Sequence, residues 1–160
     1  MVGAHTPISS NATTGINVGD SAPDFQLKNL AGETVSLSSF RGKPILLNFW
    51  VTWCPHCRAE RPLIQEAYDT WREKGLVVLT VDLIGVGNNE TALNLTNFMN
   101  ANNYSFPVLL DVDGQVRKQY DITATPTNFL IDKNGIIREK MVGEFASKSE
   151  MEISLNSLFP

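Results

Sequence analysis

The chain is poor in the residues that carry most metal, disulfide and nucleic-acid chemistry. Its 160 residues include two cysteines and two histidines. Cys54 and Cys57 would close a loop too short to staple a fold, which excludes a disulfide scaffold. A structural zinc ion asks for four ligands, and only His5 and His56 stand beside the two thiols. Charge is sparse and slightly acidic, with 13 Lys+Arg against 17 Asp+Glu. No basic run or stripe exists to meet a phosphate backbone, so no nucleic-acid partner is expected. No apolar stretch approaches the roughly 20 residues of a membrane span. The longest, Pro44 to Val51, is strand-sized and interrupted by Asn48. Met1 to Asp20 lacks both the positive start and the apolar segment of a signal peptide. The chain is therefore cytoplasmic as written, or a domain whose export signal or anchor is missing from it.

What is present suffices for one core. Hydrophobic residues make up 42% of the chain, enough for a single domain over residues 20–160 behind a loose polar tail, 1–19. Alternation in 22–27 and 33–37 around Ala31-Gly32 predicts a β-hairpin, and Ser38–Phe40 a short helical turn. Ile45–Val51 is apolar at nearly every position, as in a central strand covered on both faces. From Pro55 the pattern is helical through Trp71 and Lys74, with Gly75 as the C-terminal cap. Leu76–Leu83 predicts a second buried strand. A helix over Thr91–Asn100 follows, with Leu93, Leu95, Phe98 and Met99 on one side. Phe106–Leu110 predicts a strand and Gly114–Tyr120 a short helix. Thr127–Ile131 and Ile136–Val142 form a second hairpin around Asp132-Lys133-Asn134-Gly135. A last helix starts at Ser147 and turns Met151, Ile153, Leu155, Leu158 and Phe159 inward. Strands alternating with helices predict a layered α/β domain.

The chemistry concentrates in Trp53-Cys54-Pro55-His56-Cys57, where the apolar strand gives way to a helix. A thiol at a helix start can lie near solvent and near unpaired backbone N–H groups, which favour its thiolate. Cys54 is therefore the candidate attacking thiol. Cys57, one turn inside, is the candidate resolving thiol. Attack by Cys54 on a substrate disulfide gives a mixed disulfide, which Cys57 breaks; the reverse steps oxidise a dithiol. A protonated His56 beside Cys54 would favour the thiolate and push the couple toward oxidising behaviour.

Together with Gly19-Asp20-Ser21-Ala22-Pro23-Asp24-Phe25, Leu37–Lys43, Asn48–Cys54 and Tyr120–Thr127, this motif makes the chain resemble the thioredoxin superfamily. More narrowly it resembles the extracytoplasmic TlpA/ResA-like thiol-disulfide oxidoreductases, over residues 18 to 159. That resemblance implies a thioredoxin-like α/β fold: a central mixed sheet flanked by helices, an N-terminal β-hairpin, and an inserted strand and helix between Leu76 and Leu110. It also implies a cis Pro126 whose preceding Thr125 turns its backbone toward the sulfurs, and Trp53 and Pro55 shaping the substrate surface. Glu90 aligns with an acid near the active site of such proteins, a candidate to take the Cys57 proton. Asn48 stands where thioredoxins proper carry a buried acid, and Asn cannot accept that proton. Glu60 reads as a solvated helix residue, and Pro62 as a kink.

Pro55-His56 resembles the dipeptide of strongly oxidising DsbA-type enzymes, whereas likeness to ResA implies a reductant. The implied partners are proteins with cysteine pairs, apocytochrome c among them, and a membrane redox protein that recharges the couple. A monomer without cofactor or bound metal is expected, outside the cytoplasm. Two other readings stay open. A peroxiredoxin-like peroxidase shares Ala22-Pro23-Asp24-Phe25, although the Pro-x-x-x-Thr-x-x-Cys pattern is absent before Cys54. A copper chaperone would draw on Cys54, Cys57 and the distant His5.

Overall fold

A computed structural model describes residues 12–87 and 89–160. Seven strands form one mixed sheet in the order β2-β1-β5-β4-β3-β6-β7. They are β1 (Gln26–Asn29), β2 (Thr34–Ser36), β3 (Ile45–Trp50), β4 (Val77–Asp82), β5 (Val108–Leu110), β6 (Thr127–Ile131) and β7 (Ile137–Val142). The helices are α1 (Pro55–Glu66), α2 (Ala92–Ala101), α3 (Gln115–Gln119) and α4 (Lys148–Asn156). The expected thioredoxin-like α/β architecture is present.

β3 lies inside the sheet, between β4 and β6, and every one of its residues is buried, Asn48 included. It runs parallel to β4 and antiparallel to β6. β4 continues in parallel into β5, and β5 meets the β1–β2 hairpin edge antiparallel. The hairpin is shorter than its alternation suggested. Phe25 is drawn into the core, so pairing starts only at Gln26.

Helical boundaries follow capping chemistry. Cys54, Thr91 and Ser147 are N-caps of α1, α2 and α4, each accepting a backbone N–H three residues on. Beyond α1 the helical path widens into a π turn at Ala67–Trp71, then tightens to a 3-10 turn at Arg72–Lys74. Gly75 ends it in the left-handed conformation, φ 105°. Pro62 sits inside α1 without ending it.

Two expected core residues face solvent. Leu93 is 68% exposed and Ile153 72% exposed. Each lies two positions from a buried neighbour, Leu95 and Leu155, which on a helix is more than half a turn away from the core stripe. The first eleven residues of the expected tail lie outside the described residues. Residues beyond them run beside β7, with the Gly19 N–H on the Ile137 carbonyl at 2.8 Å.

Candidate active site

The chain leaves β3 at Trp50 and crosses a short turn to Cys54. Its extended backbone (φ −96°, ψ 120°) aims Sγ along the axis of α1. Sγ accepts the Cys57 N–H at 3.2 Å. Pro55 occupies the first helical position, where its missing N–H leaves no bond unmade. Arg58 Nε donates to the Thr52 carbonyl at 2.8 Å, which fixes the turn. Cys54 is more sheltered than a residue placed near solvent, at 8% exposed, and Cys57 is fully buried. Both are thiols in this structure.

Their acidities are driven apart. Burial alone would push the Cys54 thiol up. Hydrogen bonds from the Cys57 and Thr125 side chains and from the backbone N–H groups of Cys57 and His56 outweigh it, and the thiol falls below its ordinary value. For Cys57, burial and the hydrogen it shares with Cys54 act together, and its thiol is pushed up to about 12. One thiol is primed to ionise while its neighbour keeps its proton, the asymmetry that an attacking and resolving pair requires.

Thr125 and Pro126 are joined by a cis peptide bond. The Thr125 carbonyl lies 3.5 Å from Cys54 Sγ and accepts its S–H. Beside the sulfur runs a groove of about 140 Å³ lined by Val51, Trp53, Leu83, Val86, Ile122 and Thr125. Trp53 forms its rim at 44% exposed, and Pro55 is exposed at the helix start. His56 touches Cys54 through its backbone N–H. Its ring turns to Glu144, with Nδ1 2.7 Å from Oε1. Glu90 meets the turn before Cys54: Oε1 accepts the Thr52 N–H at 3.3 Å and also the Thr52 hydroxyl.

Below Cys57 lies a buried polar layer that the sequence reading largely missed. Glu60 is fully buried, contrary to a solvated helix position. Its Oε1 accepts from Asn48 Nδ2 at 2.8 Å, and its Oε2 from Asn128 Nδ2 at 2.8 Å and the Phe145 N–H at 3.0 Å. Arg61, also fully buried, donates from Nε to the Cys57 carbonyl at 3.0 Å and from Nη2 to Asn48 Oδ1 at 2.7 Å. Its guanidinium stacks 4.2 Å from the Trp50 ring centroid. Burial holds Glu60 above the usual carboxylate range despite Arg61, and brings Arg61 down to about 10 despite Glu60. Helical spacing carried a usable signal. Cys57, Glu60, Arg61 and Ile64 recur at the i, i+3, i+4, i+7 positions of one face, so a buried cysteine puts the charged pair inside. Asp82, Asn128 and Glu144 gave no local signal, because only the sheet and the β7–α4 loop bring them here.

Among the described residues no group of three or more His, Cys, Asp or Glu is placed to hold a metal ion. His5, the expected third ligand of a copper chaperone, lies outside the described residues. Likewise, no described helix is long and apolar enough to cross a membrane.

Comparison with known proteins agrees with this geometry. The AhpC/TSA family matches residues 18–140. The thiol-disulfide oxidoreductase ResA of Oceanobacillus iheyensis is 40% identical over 147 residues, covering 89% of this chain and 73% of that protein. ResA of Bacillus thuringiensis is 35% identical over 145 residues, covering 91% and 80%. Among solved structures, a Chlorobium tepidum protein assigned as the thiol:disulfide interchange protein DsbE superposes with a TM-score of 0.81 at 30% identity, covering 91% of this chain and all of that one. StoA from Bacillus subtilis gives a TM-score of 0.71 at 30% identity, covering 83% and 97%. With its two cysteines at the head of α1, the chain belongs to the thioredoxin-like AhpC/TSA family and is a ResA-like thiol-disulfide oxidoreductase.

Proposed function

We propose that the protein exchanges electrons with cysteine pairs of exported proteins outside the cytoplasm, with Cys54 attacking and Cys57 resolving. The observation that carries this reading is the opposed acidity of two neighbouring thiols, with Cys54 Sγ also accepting the Cys57 backbone N–H. Cys54 thiolate attacks a substrate disulfide and forms a mixed disulfide. Cys57 then gives up its proton, attacks Cys54 Sγ and releases the substrate dithiol. In the opposite half-cycle a partner thiolate opens the Cys54–Cys57 disulfide.

Thr125 and Pro126 frame the sulfur, Trp53 and Pro55 shape the groove, and an extended substrate segment docks along it. The backbone of Thr125 supplies its hydrogen-bonding edge. His56 supports the thiolate through its N–H, while its pairing with Glu144 holds the Pro55-His56 rim in place. Placement outside the cytoplasm is supported by likeness to an exposed lipoprotein thioredoxin of Streptococcus pneumoniae, 31% identical with a TM-score of 0.74 over 85% of this chain and all of that one. Apocytochrome c and a membrane-bound reductant are the substrate and partner we propose, from likeness to ResA.

A Cys57→Ser variant tests the reading. It is expected to accumulate mixed disulfides through Cys54 with exported proteins presented in their disulfide form, oxidised apocytochrome c among them, because Cys54 opens the substrate disulfide and no second thiol releases it. Trapping of cytoplasmic proteins alone, or of none through Cys54, would sink it.

A further inference from the structure

Two acids meet behind the active-site turn. Asp82, the last residue of β4, pairs in register with Trp50 at the end of β3. On parallel strands such partners point to the same face, here the one covered by α1. Asp82 is fully buried and faces Glu90, within reach of a side-chain hydrogen bond. Yet Asp82 Oδ1, Asp82 Oδ2 and Glu90 Oε2 find no hydrogen-bond donor among the described residues. Two charged carboxylates there, Asp82 fully buried and Glu90 half-buried with its Oε2 shielded, would repel each other and forfeit hydration, which is costly. One proton removes the conflict.

We propose that Asp82 is held as a neutral acid that donates its hydrogen bond to Glu90, and so acts as the residue that positions Thr52 and the Trp53-Cys54 segment for thiol exchange. The allocation of the proton follows from contacts. Glu90 Oε1 already accepts the Thr52 N–H and hydroxyl, so Glu90 is the charged, accepting partner. No donor among the described residues is hydrogen-bonded to Asp82, which is the acid that keeps its hydrogen. Burial and the facing Glu90 both push the Asp82 carboxyl up, to about 10. Arg61 on α1 opposes them by its charge, but its Nε and Nη2 bind the Cys57 carbonyl, Asn48 and Glu60, and its buried Nη1 makes no hydrogen bond to Asp82 or to any other described residue. Glu60, Cys57 and Tyr104 are the other titratable groups that face Arg61.

The consequence for the site is mechanical. Glu90 holds the N–H side of Thr52, and Arg58 holds its carbonyl. The residue two before Cys54 is thus fixed on both sides, and Asp82 steadies one of the two clamps. Asp82 touches no sulfur and acts through Glu90. This inference rests on Cys54 being the attacking thiol, which the Cys57→Ser trap tests separately.

The test compares wild type, Asp82→Asn and Asp82→Ala by the rate of Cys54 alkylation with iodoacetamide from neutral to alkaline pH. An amide can donate to Glu90 as the protonated acid does, so Asp82→Asn is expected to match wild type at neutral pH. Asp82→Ala loses one hydrogen bond to an ionised group and should slow alkylation about tenfold. At alkaline pH the wild-type rate should fall as the pair ionises, whereas Asp82→Asn keeps its rate. Infrared difference spectra at neutral pH supply a readout independent of activity. Wild type should show the C=O stretch of a protonated carboxylic acid, absent from Asp82→Asn. An Asp82→Asn variant as slow as Asp82→Ala, an unaffected Asp82→Ala, or a missing carboxylic-acid band would each overturn the assignment.

Discussion

Replacing Arg61 by Met probes the buried layer beneath Cys57 most severely. The change keeps an unbranched apolar stem but removes the guanidinium and its stacking on Trp50. Lost with it are the bonds to the Cys57 carbonyl at 3.0 Å, Asn48 at 2.7 Å and Glu60 at 3.2 Å. Glu60 is left fully buried beside two amides and the Phe145 N–H, with its cation gone. Breaking a buried ion pair from one side costs about 3–5 kcal/mol. The low end applies here, because Glu60 is already pushed toward its neutral form and can take a proton. About 3 kcal/mol in a domain of this size lowers Tm by roughly 6–12 °C.

The penalty should also depend on pH. A carboxyl whose folded pKa is raised stabilises the fold at low pH and loses that contribution as pH rises. Without Arg61 the Glu60 carboxyl is raised further, so the gap between variant and wild type widens from pH 5 to pH 8. Urea unfolding of the dithiol forms across that range measures it. Arg61→Met with Glu60→Gln should recover at least about 1 kcal/mol, a coupling typical of residues in contact. A loss for Arg61→Met below about 1 kcal/mol, the level of an exposed ion pair, would refute the reasoning.

Three further outcomes follow from the same geometry. Wild-type stability should fall relative to Asp82→Asn as pH rises from the ordinary Asp range toward about 10, because the raised carboxyl favours the fold only while protonated; parallel curves in chemical denaturation would contradict this. A Cβ at Gly85 would meet the Val112 carbonyl at 2.3 Å, so Gly85→Ala should displace the loop and lower stability by about 1–3 kcal/mol, measured by thermal unfolding. Trp53→Ala should raise KM for a protein disulfide several-fold and leave exchange with dithiothreitol nearly unchanged, since Trp53 is the exposed rim of the groove that a protein segment would cover.

The elements and the cysteine pair were legible because local chemistry encodes them. β3 is apolar at nearly every position, Gly75 closes a helical run, and Thr91 and Ser147 are capping residues. The polar layer was harder to read because its members come from four separated segments. Asn48 and Asn128 are register partners on β3 and β6, and no periodicity within either strand announces that pairing. Asp82 ends a strand that reads as simply buried. Glu144 meets His56 only because the chain turns after β7, where the Gly143 N–H binds the Pro126 carbonyl at 2.8 Å. His56 shows the same limit. Its position in the motif suggests a ring against the sulfur, whereas the fold presents its N–H to Cys54 and its ring to Glu144.

The central claim is that two neighbouring thiols have been given opposite acidities. Alkylation by iodoacetamide as a function of pH, resolved by peptide mass, measures it directly on the reduced protein. Cys54 should react with a midpoint below the free thiol value of about 8.5. Cys57, buried and held near 12, should stay unmodified until the protein unfolds. Equal labelling of both cysteines, or a Cys54 midpoint at or above that of a free thiol, would contradict the account.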